Sequence, residues 1–323
     1  MKDSSKVSVI IPNYNHAQYL PQRIESVLQQ TYQNIEVIIL DDFSTDNSKD
    51  IINEYAKKDT RIRTHFNEVN SGTTFKQWNR GIQMAKGSYI WIAESDDFAD
   101  VKFVETVIQP LERDSRIGLS YCMSYIVNKK GEVVGDMLPR EFIKLDYTRW
   151  QQNYINNGQH ECENYMIHKN VIPNASALLF RKDKFLMAGG APEYLRLSGD
   201  WLTYIKMLKY SDIAFNSSCL NYYRVHDKTV RASRSNKHLN VVWEKCNVLS
   251  YLADNFNIRS EDLRYEAFSL FKGFFSHKEN LRASYQEKEK FKFLMHFIRT
   301  YTNPSLLVKD IMLFGVSKIT RKF

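Results

Sequence analysis

Along the first hundred residues, short apolar runs alternate with segments in which apolar residues have helical spacing. The runs at 7–11, 35–40 and 89–93 are rich in β-branched or aromatic residues, which is typical of buried strands, and residues 61–66 form a shorter run. Apolar residues recur every three or four positions between these runs, which predicts intervening helices. Strands and helices that alternate in this way predict a parallel sheet of right-handed βαβ units.

Polar clusters follow three of the predicted strands, at residues 12–15, 41–42 and 94–97. Because parallel strands bring their C-terminal ends to one sheet edge, where ligands bind in open α/β folds, the clusters predict one shared site. The third cluster contains three carboxylates. Grouped carboxylates repel one another unless a cation compensates them, and oxygen ligands favour Mg²⁺ or Mn²⁺. A solvated acidic turn is the alternative.

The second half of the chain is less regular. Residues 117–127 predict a strand that ends in a hairpin turn at 129–132, and residues 174–181 predict another strand. A further short strand is predicted directly before residue 221. Residues 136–172 are polar and aromatic without periodicity, which indicates a long variable insertion. Asp200 directly precedes a predicted helix and, by position alone, is a candidate N-cap.

The net charge of +8 on the 323 residues lies in the last part of the chain. Residues 228–323 contain 18 Lys and Arg against 9 Asp and Glu. This asymmetry predicts an anionic partner, such as a membrane surface or a phosphorylated carrier; nucleic acid is disfavoured because no matching motif accompanies the charge. Four widely spaced cysteines indicate reduced thiols. With neither a signal region nor a bilayer-spanning run, the expected location is the cytoplasm.

Helical spacing of apolar residues also predicts helices in the C-terminal part, near residues 239–252, 268–275 and 293–298. A fourth predicted helix, after Pro304, has a wide apolar stripe flanked by lysine and arginine. A basic amphipathic helix of this kind either lies on an anionic membrane or packs on the protein with its basic face in solvent.

Two common nucleotide-binding motifs are missing from the sequence, namely the Gly-x-Gly-x-x-Gly fingerprint and the P-loop. Seven other segments are informative by their order and spacing: VSVIIPNYN (7–15), QQTY (29–32), DDFSTD (41–46), NSG (70–72), NRG (79–81), AKGSY (85–89) and SDD (95–97). Together they resemble the family 2 glycosyltransferases, inverting enzymes of the GT-A fold, over residues 7–227. The resemblance implies an α/β, Rossmann-like GT-A fold with a mostly parallel central sheet flanked by helices. The C-terminal helical extension, predicted from its apolar spacing, lies outside the family's core.

By this resemblance, residues 1–125 form a nucleotide-sugar-binding half and 126–235 an acceptor-binding half with the catalytic base. Residues 236–323, beyond the resemblance, are expected to form the basic helical extension. The implied activity is a metal-dependent, inverting transfer of a sugar from a UDP-linked donor to a hydroxyl of a glycan or lipid-linked acceptor, in surface polysaccharide biosynthesis. Peripheral contact with the inner face of the cytoplasmic membrane would suit a lipid-linked acceptor. The alternative is a non-catalytic nucleotide-sugar or glycan-binding module, which is favoured by the glutamate at the first position of the family's Asp-x-Asp motif.

The resemblance also assigns roles to residues that match the family's motifs. Asp200 would be the catalytic base. The expected ligands of Mn²⁺ or Mg²⁺ are Asp96, Asp97, Glu94 and His226. The residues expected to contact the nucleotide-sugar are Pro12, Tyr14, Asn15, Asp42, Gly72, Lys76, Ser95 and Asp96. Arg224 would pair with a phosphate. The alternatives are a helix cap for Asp200, a solvated helix lysine for Lys76, a packed histidine for His226 and a surface arginine for Arg224.

Overall fold

A computed structural model describes residues 6–136, 145–172, 174–226, 237–275 and 288–302. By their contacts, these residues divide into two units. The first unit holds the described residues up to 161 and those from 170 to 226, and the second holds 162–169 and the described residues from 237 onwards. The predicted division of the catalytic region at residue 125 stays a prediction.

The described part of the first unit is built on one sheet of ten strands. The strands are β1 (Val7–Asn13), β2 (Ile35–Asp41), β3 (Ile62–Phe66), β4 (Tyr89–Ile92), β5 (Phe98–Ala99), β6 (Ile117–Val127), β7 (Val133–Asp136), β8 (Tyr154–Asn156), β9 (Leu178–Arg181) and β10 (Asp212–Arg224). Their order is β3-β2-β1-β4-β9-β6-β10-β5, with β7 paired to β6 and β8 paired to β10.

Most strands of this sheet run in one direction. Neighbours among β3, β2, β1 and β4 are parallel, and so are β6 and β10. β9 lies between the two groups and is antiparallel to both β4 and β6, so the two groups share their direction. The prediction of an α/β fold with a mostly parallel central sheet is therefore confirmed.

Seven α-helices of the described first unit accompany the sheet. They are α1 (Leu20–Leu28), α2 (Ser48–Lys58), α3 (Thr74–Met84), α4 (Phe103–Arg113), α5 (Gly158–Glu161), α6 (Lys182–Met187) and α7 (Gly199–Leu208). Every residue of β1 and β2 is buried. Apolar residues of α1 and α4 join the core on one face, and Gly81 of α3 packs against Ile10 and Leu40 on the other. Both faces of the central strands are thus covered, as expected for parallel strands.

The strand directions bring several chain segments to one edge of the sheet. β1, β2 and β4 end there, and β10 reaches the same edge because it runs parallel to them. β10 has 13 residues, whereas the sequence predicted only a short strand before residue 221. Its last residue is Arg224, so His226 follows directly at this edge.

The second unit is helical, with α8 (Lys237–Asn255), α9 (Ser260–Phe275) and α10 (Lys288–Tyr301), which cover three of the four predicted segments. The fourth predicted helix, after Pro304, lies outside the described residues. No helix in the described ranges is both long and apolar enough to span a bilayer. The four cysteines, all among the described residues, are free thiols.

Candidate active site

The turn after β4 holds the three carboxylates at the sheet edge. Glu94 Oε1 accepts a hydrogen bond from Trp78 Nε1 at 3.0 Å. Burial raises the pKa of Glu94 to about 8, and the negative charge of Asp96 adds to the shift. The Glu94 carboxyl is therefore largely protonated at neutral pH in the absence of a bound cation.

Asp97 is buried and is used by the protein as an acceptor. Its Oδ1 accepts a hydrogen bond from the backbone N–H of Arg224 at 2.9 Å, and its Oδ2 accepts one from Asn174 Nδ2 at 3.1 Å. Burial, followed by the charge of Asp96, raises the pKa of Asp97 to about 6. This carboxylate ties the acidic turn to β10 and to the segment before β9.

Asp96 faces two histidines. Its Oδ2 lies 3.0 Å from His226 Nε2. Burial alone would raise the pKa of Asp96, but the hydrogen bond with His226 and the positive charges that His16 and His226 can carry hold it below its usual value. One ligand atom each of His16, Asp96 and His226 lies within 4.8 Å of the others. These three side chains could hold one metal ion.

The two imidazoles of this group are held by their neighbours. Their ring centroids are 5.5 Å apart and the rings are nearly perpendicular, at 88°. Tyr19, at the start of α1, packs against His226 with centroids 5.0 Å apart. Ser95 Oγ, which is buried in the acidic turn, lies 2.8 Å from His16 Nδ1. Ser95 therefore contacts a possible metal ligand.

A buried arginine lies beneath the acidic turn. Arg23 of α1 is fully buried, and its Nε donates to the Glu94 carbonyl oxygen at 2.8 Å. Burial lowers the pKa of Arg23 to about 10, a shift that the charges of Asp97 and Asp96 oppose, so the guanidinium stays charged at neutral pH. Its Nη atoms have no acceptor among the described residues. Arg23 thus compensates part of the negative charge of the turn.

Arg224 is buried, contrary to the surface position considered from the sequence. Its Nε donates to the Asp96 carbonyl oxygen at 2.7 Å, and its Nη1 donates to the carbonyl oxygens of Asn128 and Lys129 at 3.1 and 3.0 Å. Nη2 donates to Gln22 Oε1 at 2.6 Å. The guanidinium therefore joins α1, the β6–β7 turn and the acidic turn, and a phosphate contact of Arg224 stays a prediction.

Asp42, after β2, accepts several hydrogen bonds. Its Oδ1 accepts from Asn67 Nδ2 at 2.6 Å, from the Ser71 backbone N–H at 2.8 Å and from Gln77 Nε2 at 3.0 Å. Its Oδ2 accepts from Ser71 Oγ at 2.8 Å. A carboxylate oxygen can accept more than one bond, so Oδ2 retains capacity for a donor on a ligand.

The other residues expected at the nucleotide base lie at the ends of β1 and β2. Pro12 is buried within β1, whereas the Tyr14 ring is half-exposed. Asn15 Oδ1 accepts from the Thr45 backbone N–H at 2.7 Å and so links the two strand ends. Asn15 and the half-exposed Phe43 have left-handed φ values of 57° and 64°, a conformation that costs free energy in residues other than glycine.

Gly72 lies in the loop that contacts Asp42 through Ser71, and Lys76 lies in the first turn of the helix α3 that follows this loop. Gly72 has φ +83°, which favours glycine at this position. Lys76 is exposed, and its Nζ donates to the Ser71 carbonyl oxygen at 3.1 Å. The Lys76 side chain thus lies back over the loop that precedes α3, and a phosphate contact stays a prediction.

Asp200 lies in the first turn of α7, after the N-cap residue Ser198, so it is not the N-cap itself. Its Oδ2 accepts from Asn170 Nδ2 at 3.1 Å. Burial raises the pKa of Tyr204, and the charges of Asp200 and Glu94 raise it further. Asp200 and Glu94 therefore both act electrostatically on this buried hydroxyl group.

Comparison with known proteins identifies the family. The sequence pattern of "Glycosyl transferase family 2" matches residues 8–172, just over half of the 323 residues. The chain belongs to this family.

Curated relatives of this family 2 chain match part of it. It is 41% identical to the glycosyltransferase GlyG of Streptococcus pneumoniae over 123 residues, which are 38% of this chain and 40% of GlyG. It is 42% identical to the putative teichuronic acid biosynthesis glycosyltransferase TuaG of Bacillus subtilis over 91 residues, 28% of this chain and 36% of TuaG. The chain thus spans less than half the length of either relative.

A solved structure is similar over most of the family 2 chain. S. aureus TarS 1-349 in complex with UDP-GlcNAc superimposes with a TM-score of 0.68 and 18% sequence identity, covering 92% of this chain and 81% of TarS 1-349. At this identity the similarity establishes the fold, and the roles of individual residues stay predictions.

The expected metal ligands of the family 2 chain fall into two sets. Asp96 and His226 belong to the group of three ligand-bearing side chains, whereas Glu94 and Asp97 lie outside it and accept hydrogen bonds from the protein. His16 belongs to the group but was not predicted. Its only signal in the sequence was its place beside the polar cluster that follows β1.

Proposed function

We propose that this chain is a metal-dependent, inverting glycosyltransferase that moves a sugar from a UDP-linked donor to a hydroxyl group. The observation that supports this most is the group of His16, Asp96 and His226 at the sheet edge. Family membership supports glycosyl transfer, and the UDP-GlcNAc complex of TarS supports a UDP-linked donor.

The donor set fits a divalent ion, because imidazole and carboxylate groups are ordinary ligands of such ions. His16, Asp96 and His226 would hold Mn²⁺ or Mg²⁺ here. A bound ion acts as a Lewis acid and neutralises the negative charge that develops on a leaving diphosphate. Buried Arg23 supplies a fixed positive charge beneath the same turn.

The remaining roles belong to the side chains around this group. Asp200 accepts the proton of the acceptor hydroxyl as that oxygen attacks the sugar, and Asn170 orients the carboxylate through its hydrogen bond to Oδ2. The half-exposed ring of Tyr14 offers a face to the base of the nucleotide, and Asp42 Oδ2 accepts from a base N–H.

Replacement of Asp200 by Asn tests the catalytic base. An amide cannot take up the proton, so transfer is expected to fall by about 10²- to 10⁴-fold, while UDP binding stays within about twofold. Asp183→Asn is the matched control, because Asp183 also lies in the first turn of a helix and is exposed. Near-full turnover by the Asp200→Asn protein would show that another group is the base.

Donor hydrolysis separates this enzyme from a non-catalytic binding module. The glutamate in the Asp-x-Asp motif had favoured such a module, but Glu94 accepts from Trp78 and lies outside the group of possible ligands. We expect slow hydrolysis of a UDP-sugar that requires Mn²⁺ and stops with a chelator. Binding of UDP-sugars without any hydrolysis or transfer would favour the module.

We propose a cytoplasmic role in surface polysaccharide biosynthesis, with a glycan or lipid-linked acceptor. The name of TuaG, a putative teichuronic acid biosynthesis enzyme, supports a polysaccharide product. The basic C-terminal part supports peripheral contact with an anionic membrane, since it holds the whole excess of positive charge.

A further inference from the structure

We propose that His16 is a ligand of the metal ion, and that the site consequently selects a first-row transition ion over Mg²⁺. The inference rests on the proposed metal dependence of the transfer and specifies the ion. The sequence had led us to expect mostly oxygen ligands from the acidic turn. The structure instead groups two imidazoles with one carboxylate.

The separations of the ligand atoms suit a single ion. Two ligands about 2.1 Å from an octahedral ion are about 3.0 Å apart when adjacent and about 4.2 Å apart when opposite. His226 Nε2 and Asp96 Oδ2 are 3.0 Å apart, and His16 brings its ligand atom within 4.8 Å of both residues. All three can therefore reach one ion with small side-chain movements.

The surroundings of His16 are those of a positioned ligand. A ligating histidine usually has its other ring nitrogen held by a hydrogen bond, which fixes the tautomer and the ring plane. Ser95 Oγ lies 2.8 Å from Nδ1 of His16, which assigns Nε2 as the ligand atom. Tyr19 packs against both imidazoles, with centroids 6.0 Å from His16 and 5.0 Å from His226.

The two remaining carboxyl groups of the turn, those of Glu94 and Asp97, already accept hydrogen bonds from the protein. If Glu94 and Asp97 turned toward an ion, the Trp78 indole N–H and the Arg224 backbone N–H would lose their acceptors. A buried donor left without a partner costs about 1–3 kcal/mol. Asp96 with the two histidines is therefore the favoured ligand set.

This ligand set determines which ions bind well. Mg²⁺ demands oxygen ligands and gives up its water reluctantly, whereas imidazole nitrogen suits transition ions. Affinity in such a site rises from Mn²⁺ to Co²⁺. We therefore expect Co²⁺ to bind more tightly than Mn²⁺, and a tenfold excess of Mg²⁺ to leave Mn²⁺ bound.

Pulsed electron paramagnetic resonance of Mn²⁺ bound to the full chain, alone and with UDP, tests the assignment. Nitrogen nuclei bonded to Mn²⁺ modulate the spin echo, so the spectrum reports how many imidazoles coordinate the ion. We expect two in the unchanged protein and one in the His16→Ala protein, with Mn²⁺ affinity reduced about 10- to 100-fold.

Two further variants make the result decisive. His16→Asn keeps a polar group that can contact Ser95, so this variant is expected to fold even if His16→Ala does not. Mn²⁺ bound to it should also show one coordinated imidazole. His65→Ala removes an imidazole of β3 that contacts Arg80, outside the site, and should keep both.

One nitrogen in the unchanged protein, two in the His16→Asn protein, or no bound Mn²⁺ at millimolar concentration would each overturn the assignment. Displacement of Mn²⁺ by a tenfold excess of Mg²⁺ would overturn the selectivity. Two nitrogens without any donor hydrolysis would leave the assignment standing and refute the proposed function. Mn²⁺-dependent transfer by a protein whose Mn²⁺ has one coordinating nitrogen would refute the His16 assignment and leave the proposed function standing.

Discussion

A carboxyl group enclosed by protein beside other carboxyl groups keeps its proton to a higher pH than it would in water. In the acidic turn, the pKa of Glu94 rises to about 8 and that of Asp97 to about 6, mainly through burial. The pKa of Asp96 is instead lowered, because two histidines offset its burial. The three carboxyl groups of this turn therefore differ in role. Asp96 carries a negative charge, whereas Glu94 and Asp97 are hydrogen-bond acceptors.

The protonated state of Glu94 predicts how the stability of the metal-free protein depends on pH. Glu94 ionises near 4.5 when unfolded and near 8 when folded, so its contribution to stability is lost as the pH rises between these values. Glu94→Gln cannot ionise and keeps an acceptor for Trp78. We expect it to raise the free energy of unfolding by about 1–3 kcal/mol at pH 8 and by less than about 1 kcal/mol at pH 5.

Denaturant titration in the presence of a chelator measures this difference. Glu68→Gln, at an exposed glutamate, is the control and should have no effect that depends on pH. An equal effect of Glu94→Gln at both pH values would show that the carboxyl of Glu94 is already ionised in the folded protein.

At the residue scale, the sequence was informative where a residue belongs to a motif. Asp96 and His226 were singled out that way, and the structure brings them together. His16 had no such signal, because a single histidine in a turn has no periodicity and no partner at ligand spacing. Its significance comes from Tyr19 and Ser95, whose positions depend on α1 and β4 meeting at the sheet edge.

At the element scale, the close approach of α3 to the sheet depends on one glycine. A Cβ added at Gly81 would lie 2.5 Å from Ile10 Cγ2 and 2.9 Å from Leu40 Cδ1. Both neighbours are fully buried in central strands, so neither can move away without disturbing the core. The helix that carries Trp78, and with it the hydrogen bond to Glu94, is thus held directly against β1 and β2.

Gly81→Ala is therefore expected to destabilise the protein by about 1–3 kcal/mol. Helix propensity alone predicts the opposite, a gain of about 1 kcal/mol, so the sign of the change decides between the two effects. Gly135→Ala is the control, since a Cβ at that exposed position meets nothing within 4 Å. Unfolding by denaturant measures both variants, and a more stable Gly81→Ala protein would contradict the packing argument.

The central strands could be predicted because buried parallel strands are continuous apolar runs. β10 was predicted as short because Asn216, Ser217 and Ser218 interrupt its apolar pattern. The strand continues across them through irregular pairing with β6, and Asn153 Oδ1 accepts from the Ser217 backbone N–H at 2.9 Å. The antiparallel position of β9 between β4 and β6 also had no local signal, since it depends on pairing between distant segments.

At the scale of the whole molecule, charge is distributed unevenly along the chain. Residues 228–323 carry 18 basic against 9 acidic residues, so they should be drawn to a surface of opposite charge. We expect the full chain to sediment with vesicles of anionic lipid, but not with neutral ones, and to be released by about 0.5 M salt. Deletion of residues 304–323 should reduce this binding.

A variant with four basic side chains neutralised separates electrostatic attraction to the membrane from insertion of the apolar stripe. It replaces the four basic residues near the end of the chain by Gln: Lys309, Lys318, Arg321 and Lys322. If charge drives the contact, this variant should bind as weakly as the deletion. Vesicle binding that is unchanged in both variants would exclude the last segment as the contact.

The group of His16, Asp96 and His226 has a consequence for how the protein is made. Its members are 80 and 130 positions apart, and the third follows the last strand of the sheet. A nascent chain released as far as the acidic turn after β4 already carries two of the three side chains, yet it lacks the third, which follows β10. If the group binds an ion as proposed, capture of that ion would follow completion of the sheet, and chains that terminate early would gain none of the stability that a bound ion confers.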